Sequence, residues 1–481
     1  MTEPKFSYFY RPNALLMTKS PKQKKRINNR IRNLLTIALV LVIILGVPYF
    51  ILNYQAGKSG MTIREVVQRK MIRSEGAGSG ESPSSAVVEG EKIDFLQRKH
   101  IGMEYSEKPM ISHVAVDDLD QDGLLDVIVC DALDNFVSWI RQNPEGTYTE
   151  TILAKDLIAP AHAQVFDFDG DGDRDILVAV LGLLYPSNDK IGSIVYLEND
   201  GNYNFKKNII IERIARVSDV RAGDLDGDGD MDLAAAQFGY DDGETRWMEN
   251  LGNGEFKTHM LQNLSGPINV EIVDIEEDGD LDLIVLVSQE WEEIYCYVND
   301  GSGNFRMKLL WGSDNEDFGS SGISLYDLNQ DGKLDILYAN GDAFDYIPPE
   351  GKPWHGLQWF ENKGNLEFEY HRLCDLMGAY SLRPGDADQD GDLDLFAVSA
   401  FNNWEDPDAQ SFIWLENIGD MQYVKRDISN DPSHLIVMEP GDFNKDGLMD
   451  FVTGGMYPYP PFDRMSRVSL WINDGTLISE N

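Results

Sequence analysis

Two hydrophobic patterns divide the chain. Leu34 to Leu52, LLTIALVLVIILGVPYFIL, is an unbroken run of nineteen residues without a charge, whereas from residue 92 onward the apolar stretches are short and separated by polar loops. The first pattern has the length of a helix that spans a hydrocarbon core. The second has the rhythm of many short strands. Stretches such as Val127 to Val129 and Ile176 to Val180 follow an acidic loop directly, and a comparable stretch precedes each loop, so each loop is predicted to join two strands.

The acidic loop recurs seven times. Its copies are Asp118, Asp120, Asp122, Gly123, Asp126; Asp167, Asp169, Asp171, Gly172, Asp175; Asp224, Asp226, Asp228, Gly229, Asp232; Asp274, Glu276, Asp278, Gly279, Asp282; Asp327, Asn329, Asp331, Gly332, Asp335; Asp386, Asp388, Asp390, Gly391, Asp394; and Asp442, Asn444, Asp446, Gly447, Asp450. Their first residues stand 49, 57, 50, 53, 59 and 56 positions apart. Repetition at a fixed period points to an array of like units.

A second motif lies about midway between successive loops: an aromatic or apolar strand, then Asn, a Gly-containing turn, and an aromatic residue opening another strand. Trp247 to Phe256 is the fullest copy, with parallels at Tyr196 to Phe205, Tyr297 to Phe305, Trp359 to Phe368 and Trp414 to Tyr423. Trp139 to Tyr148 is looser, and the copy at Trp471 breaks off before its aromatic residue and last strand. Phe95 to His100, just upstream of the first loop, resembles that missing strand. Each unit therefore contributes four strands, and the last borrows its outer one from the start of the domain. Such units repeated radially predict an all-β fold, a seven-bladed β-propeller over 92–481 whose N-terminal strand closes the last blade and removes free sheet edges.

Charge adds a topology. Residues 1–33 hold nine Lys/Arg against Glu3 alone, a net of +8, while the whole chain is at −41, so the remaining 448 residues carry −49. The basic block predicts a cytoplasmic tail over 1–33, a transmembrane helix over 34–52 and everything beyond it outside the cell or in the periplasm. Residues 53–91, with EGAGSGESPSSAVVEGE, read as a stalk and linker, with a short helix from Thr62 to Arg73. So acidic a surface repels phosphate backbones and excludes nucleic acid as a partner. Three cysteines form neither a disulfide scaffold nor a zinc spacing.

Asp at loop positions 1, 3 and 5 with Gly at 6 gathers three carboxylates around one point, and oxygen ligands select a hard cation. Position 9 is Asp throughout. Position 12 falls inside a strand, as at Val129 and Val178, so the loop is not an EF-hand. Asp/Gly turns need no ion, but seven like copies would gather repelling carboxylates unless something neutralised them, so up to seven Ca²⁺ are expected. With these motifs the region 92–481 resembles the FG-GAP/VCBS-repeat family and is similar to the calcium-loaded propeller of integrin α heads. The resemblance implies calcium in the turn between the first and second strands of each blade, on the loop residues above. Integrin leg domains and inserted domain are absent, and the membrane span is at the opposite end, so adhesion does not follow automatically.

Function is expected at two places. Loops on the face opposite the acidic turns are rich in aromatics: Tyr185, Tyr240, Phe344 through Trp354, Asn402 to Trp404, and Tyr457 through Phe462. They suit a protein or carbohydrate ligand, and equally could pack on neighbouring blades. Three residues before each acidic loop stand Ala115, Gln164, Arg221, Glu271, Ser324, Arg383 and Glu439, a polar ring around the channel, with His113 and His162 nearer the mouth. The ring either satisfies itself or forms a ligand-binding or catalytic centre. These features predict a membrane-anchored, calcium-binding recognition, adhesion or scaffold module; the alternative is an extracytoplasmic polysaccharide lyase or hydrolase working in the channel.

Overall fold

The computed structural model describes Tyr49, Phe50, Asn53, Ile63, Arg64, Val66, Val67 and residues 87–477 apart from Ser106 and Asn253. The seven described residues before position 68 are helical. The span expected over Leu34 to Leu52 lies outside the described residues except for Tyr49 and Phe50, and the tail lies wholly outside them. Among the described residues no helix is long and apolar enough to cross a membrane.

Residues 87–477 form seven antiparallel sheets, each four strands deep apart from one added edge strand. The first strands of the units, Ile111–Asp117, Pro160–Phe166, Arg216–Gly223, Pro267–Val273, Ser320–Tyr326, Ala379–Gly385 and Leu435–Gly441, touch one another in sequence, and the last touches the first. They form the inner wall of a seven-bladed propeller, whose blades are numbered 1 to 7 in that order. Blade 7 is completed by Leu96–His100, which pairs antiparallel with Val468–Asn473 in the register Leu96↔Asn473 to His100↔Ser469. Val88–Glu89, within the stretch read as linker, adds a fifth, parallel strand to blade 6 beside Tyr423–Ser429.

The core lies between blades rather than within them. Second strands such as Asp126–Asp131 and Asp282–Val287 are buried along their whole length because a neighbouring blade covers each face, which is why they read as continuous apolar runs. One cluster joins Ile128 and Val137 of blade 1 to Ile176 and Val178 of blade 2, and another joins Phe396 and Trp414 of blade 6 to Phe451 and Trp471 of blade 7. Outer strands face solvent on one side, and the first half of Tyr148–Lys155 alternates accordingly. Ser112, Ser218 and Ser321 stitch alternate blades, each donating both to a carbonyl of its own second strand and to the first strand of the next blade.

All seven inner strands share one irregularity. Pairing with the second strand slips by a residue near the start of each, at Ile111/His113, Pro160/His162, Val217/Asp219, Pro267/Asn269, Ser320/Gly322, Ala379/Ser381 and Leu435/Val437. Such bulges re-aim side chains. Here they turn residues at the start of each inner strand toward the channel.

Candidate functional site: the acidic turns and the channel mouth

The acidic turns share one backbone frame in all seven blades. The position-6 glycine donates its N–H to the position-1 carboxylate, from 2.7 Å at Gly123 to 3.2 Å at Gly391. Its φ lies between 83° at Gly447 and 97° at Gly279. Nothing stands within 4 Å of where a Cβ would be at six of the seven, Gly123 beside Lys445 being the exception, so the requirement there is conformational rather than one of space. The position-7 N–H bonds the position-5 carboxylate in every blade, which agrees with a variable side chain at that place.

Position 9 explains the second sequence motif. Its buried carboxylate takes the N–H of Asn199, Asn250, Asn299, Asn362, Asn417 or Asn473 at the end of the third strand, and of Gln142 in blade 1. From blade 2 onward the other oxygen takes the N–H of loop position 2. The Asn amide in turn donates to the carbonyl before that Asp in blades 2 to 6. Acidic loop and Asn turn are thus one hydrogen-bonded unit. Burial pushes Asp126 up to about 7 and Asp394 up to about 8.

Carboxylate oxygens converge within 4.8 Å at Asp118, Asp120 and Asp122; Asp167, Asp169 and Asp175; Asp224, Asp226 and Asp232; and Asp386, Asp388 and Asp390. Asp118 and Asp386 each keep a buried oxygen with no hydrogen-bond partner, the condition a cation would relieve. The blades are not equal. In blade 1 Arg141 pairs with Asp120, and with Asp122 at 3.5 Å. In blade 5 Lys333 sits 2.8 Å from Asp331 and the Asn329 amide donates to Glu361. In blade 7 the Asn444 amide donates to Asp446. Glu276 of blade 4 joins none of the convergent groups found among the described residues. A cation therefore fits best in blades 2, 3 and 6.

The opposite end of the channel opens into a cavity of about 550 Å³. It is lined by all seven bulge residues, Ser112, Ala161, Ser218, Ile268, Ser321, Tyr380 and Ile436, each six positions before an acidic loop. Tyr185, Tyr240, Phe344 and Tyr459, from the aromatic loops singled out in the sequence, also line it. Trp354 and Trp404 do not line it. Trp354 donates its indole N–H to the Asp317 carbonyl at 2.7 Å, and Trp404 packs 5.1 Å from the His434 ring.

The ring residues pair across blades. Arg221 donates to Glu271 at 3.1 Å, and Arg383 holds Glu439 through Nη2 at 2.6 Å and Nε at 3.2 Å. Arg221, Glu271, Ser324 and Arg383 line the cavity, whereas Ala115, Gln164 and Glu439 do not; the Gln164 side-chain oxygen accepts the Ala222 N–H at 2.9 Å. Asp219, which the sequence reading passed over, ties two of these groups together: its carboxylate lies 3.1 Å from His162 Nδ1 and 3.4 Å from Arg221 Nε. The signal for it was its offset, five residues before the loop like His113 and His162. The two histidine rings stand 4.2 Å apart, and burial first, then neighbouring cationic groups, pull both well below their ordinary pKa. Burial also raises Glu271, against the pull of Arg221.

A smaller cavity of about 240 Å³ adjoins blades 4 and 5 and is lined by Glu290, Glu292, Glu316, Asp317, Asp342 and Asp345. Burial and then Asp345 push Asp342 up to about 7. Glu292 accepts N–H bonds from Gly319 at 3.2 Å and Ser320 at 2.9 Å, and also the Ser320 hydroxyl, yet burial pushes it up to about 8. Between its ordinary value and about 8 the folded state keeps a proton that the unfolded chain releases, so this group makes stability fall as pH rises. Glu292→Gln is expected to gain stability relative to the parent on going from pH 5 to pH 8, read as denaturation midpoints; a constant difference between the two would refute it.

The family model described as FG-GAP-like repeat matches residues 118–178, 167–235, 224–285 and 274–338, each window running from one acidic turn into the second strand of the next blade. Four FG-GAP-like repeats thus lie within the propeller, over residues 118–338. An FG-GAP propeller of this form fits an interaction module. No curated protein sequence matches the chain. Among solved structures, a mercury-soaked crystal structure of BBS1N in complex with ARL6DN is 10% identical, covers 80% of this chain and 98% of its own, and has a TM-score of 0.47. A luciferin-regenerating enzyme is 12% identical over 69% of this chain and 99% of its own, with a TM-score of 0.39. At these levels neither likeness bears on function.

Proposed function

We propose that this FG-GAP propeller is a membrane-anchored, extracytoplasmic recognition module, stabilised by calcium, that takes a carbohydrate or protein ligand at its channel mouth. The observation carrying the reading is the division of chemistry between the two ends. Charged ring residues neutralise one another inside the channel, while the rim leaves rings and apolar groups to solvent: Tyr185 is 55% exposed, Tyr240 40% and Ile347 84%. Exposed aromatics around a concavity of this volume are the ordinary equipment of a ligand site. Calcium would be held by the carboxylates of the turns, supplying positive charge to a strongly acidic domain. The basic tail and the apolar run Leu34 to Leu52 support the anchor.

One observation favours an enzyme instead. A neutral His162 with Asp219 at 3.1 Å has the make-up of a general base, which suits an extracytoplasmic polysaccharide lyase or hydrolase. Glycan-array and peptide-library binding by Tyr185→Ala/Tyr240→Ala and Arg221→Ala/Glu271→Ala separates the readings. The rim variant is expected to lose roughly tenfold or more in affinity while the channel variant retains it. Equal binding by the rim variant and the parent would refute the rim as the site. Turnover of a polysaccharide that His162→Ala abolishes would establish the enzyme.

A further inference from the structure

One cationic group of the mouth is left unaccounted for by this pairing. Arg216, the first residue of the blade 3 inner strand, lines the large cavity and is only 3% exposed. Its Nε donates to the Leu183 carbonyl at 3.0 Å and Nη2 to the Leu184 carbonyl at 2.8 Å, while Nη1 is buried without any acceptor. Among the described residues no carboxylate lies within ion-pair distance of it, although Asp and Glu outnumber Lys and Arg 82 to 41 in the chain. Its guanidinium lies 5.2 Å from the centre of the Phe238 ring, which also lines the cavity. Burial lowers its pKa to about 10.

A buried charge ordinarily has a counter-charge, and a guanidinium fixed by two carbonyls but left with a free nitrogen is prepared for an anion from outside the chain. The rest of the wall says what carries that anion. Tyr185, Tyr240 and Phe238 offer flat faces, and Asp345, Asn269 and Gln289 offer groups that can hold hydroxyls. We propose that the channel mouth binds an acidic saccharide, with the sugar carboxylate on Arg216 Nη1 and the ring against the rim aromatics. This rests on the recognition reading and names its ligand class.

The test uses the full-length protein in detergent with D-glucuronate, D-glucose and benzoate, followed by calorimetry. The parent is expected to bind glucuronate roughly tenfold or more tighter than glucose, the increment of one charge-assisted contact, and tighter than benzoate. Arg216→Gln should erase the preference for glucuronate over glucose, and Arg216→Lys, which keeps the charge, should retain part of it. Thermal melting of both variants establishes that they fold; if Arg216→Gln does not, the comparison rests on the parent and Arg216→Lys. Equal binding of glucuronate and glucose by the parent, equal binding of benzoate, a preference that survives Arg216→Gln, or no binding of glucuronate would each overturn the proposal. Ligand binding that depends on Tyr185 and Tyr240 but not on Arg216 would leave the recognition reading standing without it, and ligand binding independent of the rim would remove both.

Discussion

A chain that begins at Met103 is expected to lose cooperative unfolding and to aggregate, because it lacks the strand that closes blade 7. Leu96–His100 supplies the outer partner of Val468–Asn473, and without it that strand becomes an open edge. The loss extends past hydrogen bonds. Phe95 is fully buried, stands 5.4 Å from the Trp414 ring of blade 6, and accepts the Asp474 N–H at 3.0 Å. Phe95→Ala alone should therefore cost about 3–5 kcal/mol, the range for deleting a buried phenyl ring. By contrast, a chain starting at Lys92 loses from the propeller the edge strand Val88–Glu89, the Gly90 N–H bond to the Lys425 carbonyl, the Glu89–Lys425 ion pair and the packing of Val87, and should lose far less, about 1–2 kcal/mol. Denaturant melts of the three chains decide the matter. A chain from Met103 as stable as one from Lys92 would contradict the closure.

Calcium is expected to raise the melting temperature of the propeller and a chelator to lower it. At about 2 mM calcium and dissociation constants of about 10⁻⁴–10⁻³ M, each occupied turn contributes about 0.6–1.8 kcal/mol by mass action. Several occupied turns together would move the melting transition by many degrees. The turns should not respond alike. Asp169→Asn, Asp226→Asn and Asp388→Asn are expected to remove more of the calcium-dependent increment than Asp122→Asn, because Arg141 already lies beside Asp120 and Asp122. Identical melting with calcium and with chelator would refute ion binding. Equal effects of all four substitutions would refute the ranking.

Much of this architecture is legible in the chain. The seven acidic loops and the seven midway turns set four strands per unit, and the incomplete copy at Trp471 together with Phe95 to His100 announced the closing strand. Local chemistry suffices there, since each signal is a turn whose Gly, Asp and Asn are required by its own backbone. That the two motifs are a single unit was not legible. The Asp232 carboxylate meets the Asn250 N–H at 2.7 Å across 18 residues of sequence, a relation that exists only once the second and third strands are paired.

The channel shows the same boundary between local and tertiary information. Arg221, Glu271, Arg383 and Glu439 could be placed on inner strands by counting back from the loops, but their partners come from neighbouring blades, so pairing waited on the ring. The bulge shared by all seven inner strands carries no residue signature, for its occupants range from Ser112 and Ala161 to Ile268 and Tyr380. Trp354 and Trp404 look like rim aromatics in sequence and are placed away from the cavity, because long loops are positioned by what they pack on. Arg216 was unremarked for the converse reason: a single arginine at a strand start means little until burial removes its water and no carboxylate comes with it. The sequence by itself determined the repeat, its turns and its closure, which depend on neighbours in the chain; tertiary structure decided which charges are paired and which is left open, because that depends on neighbours in space.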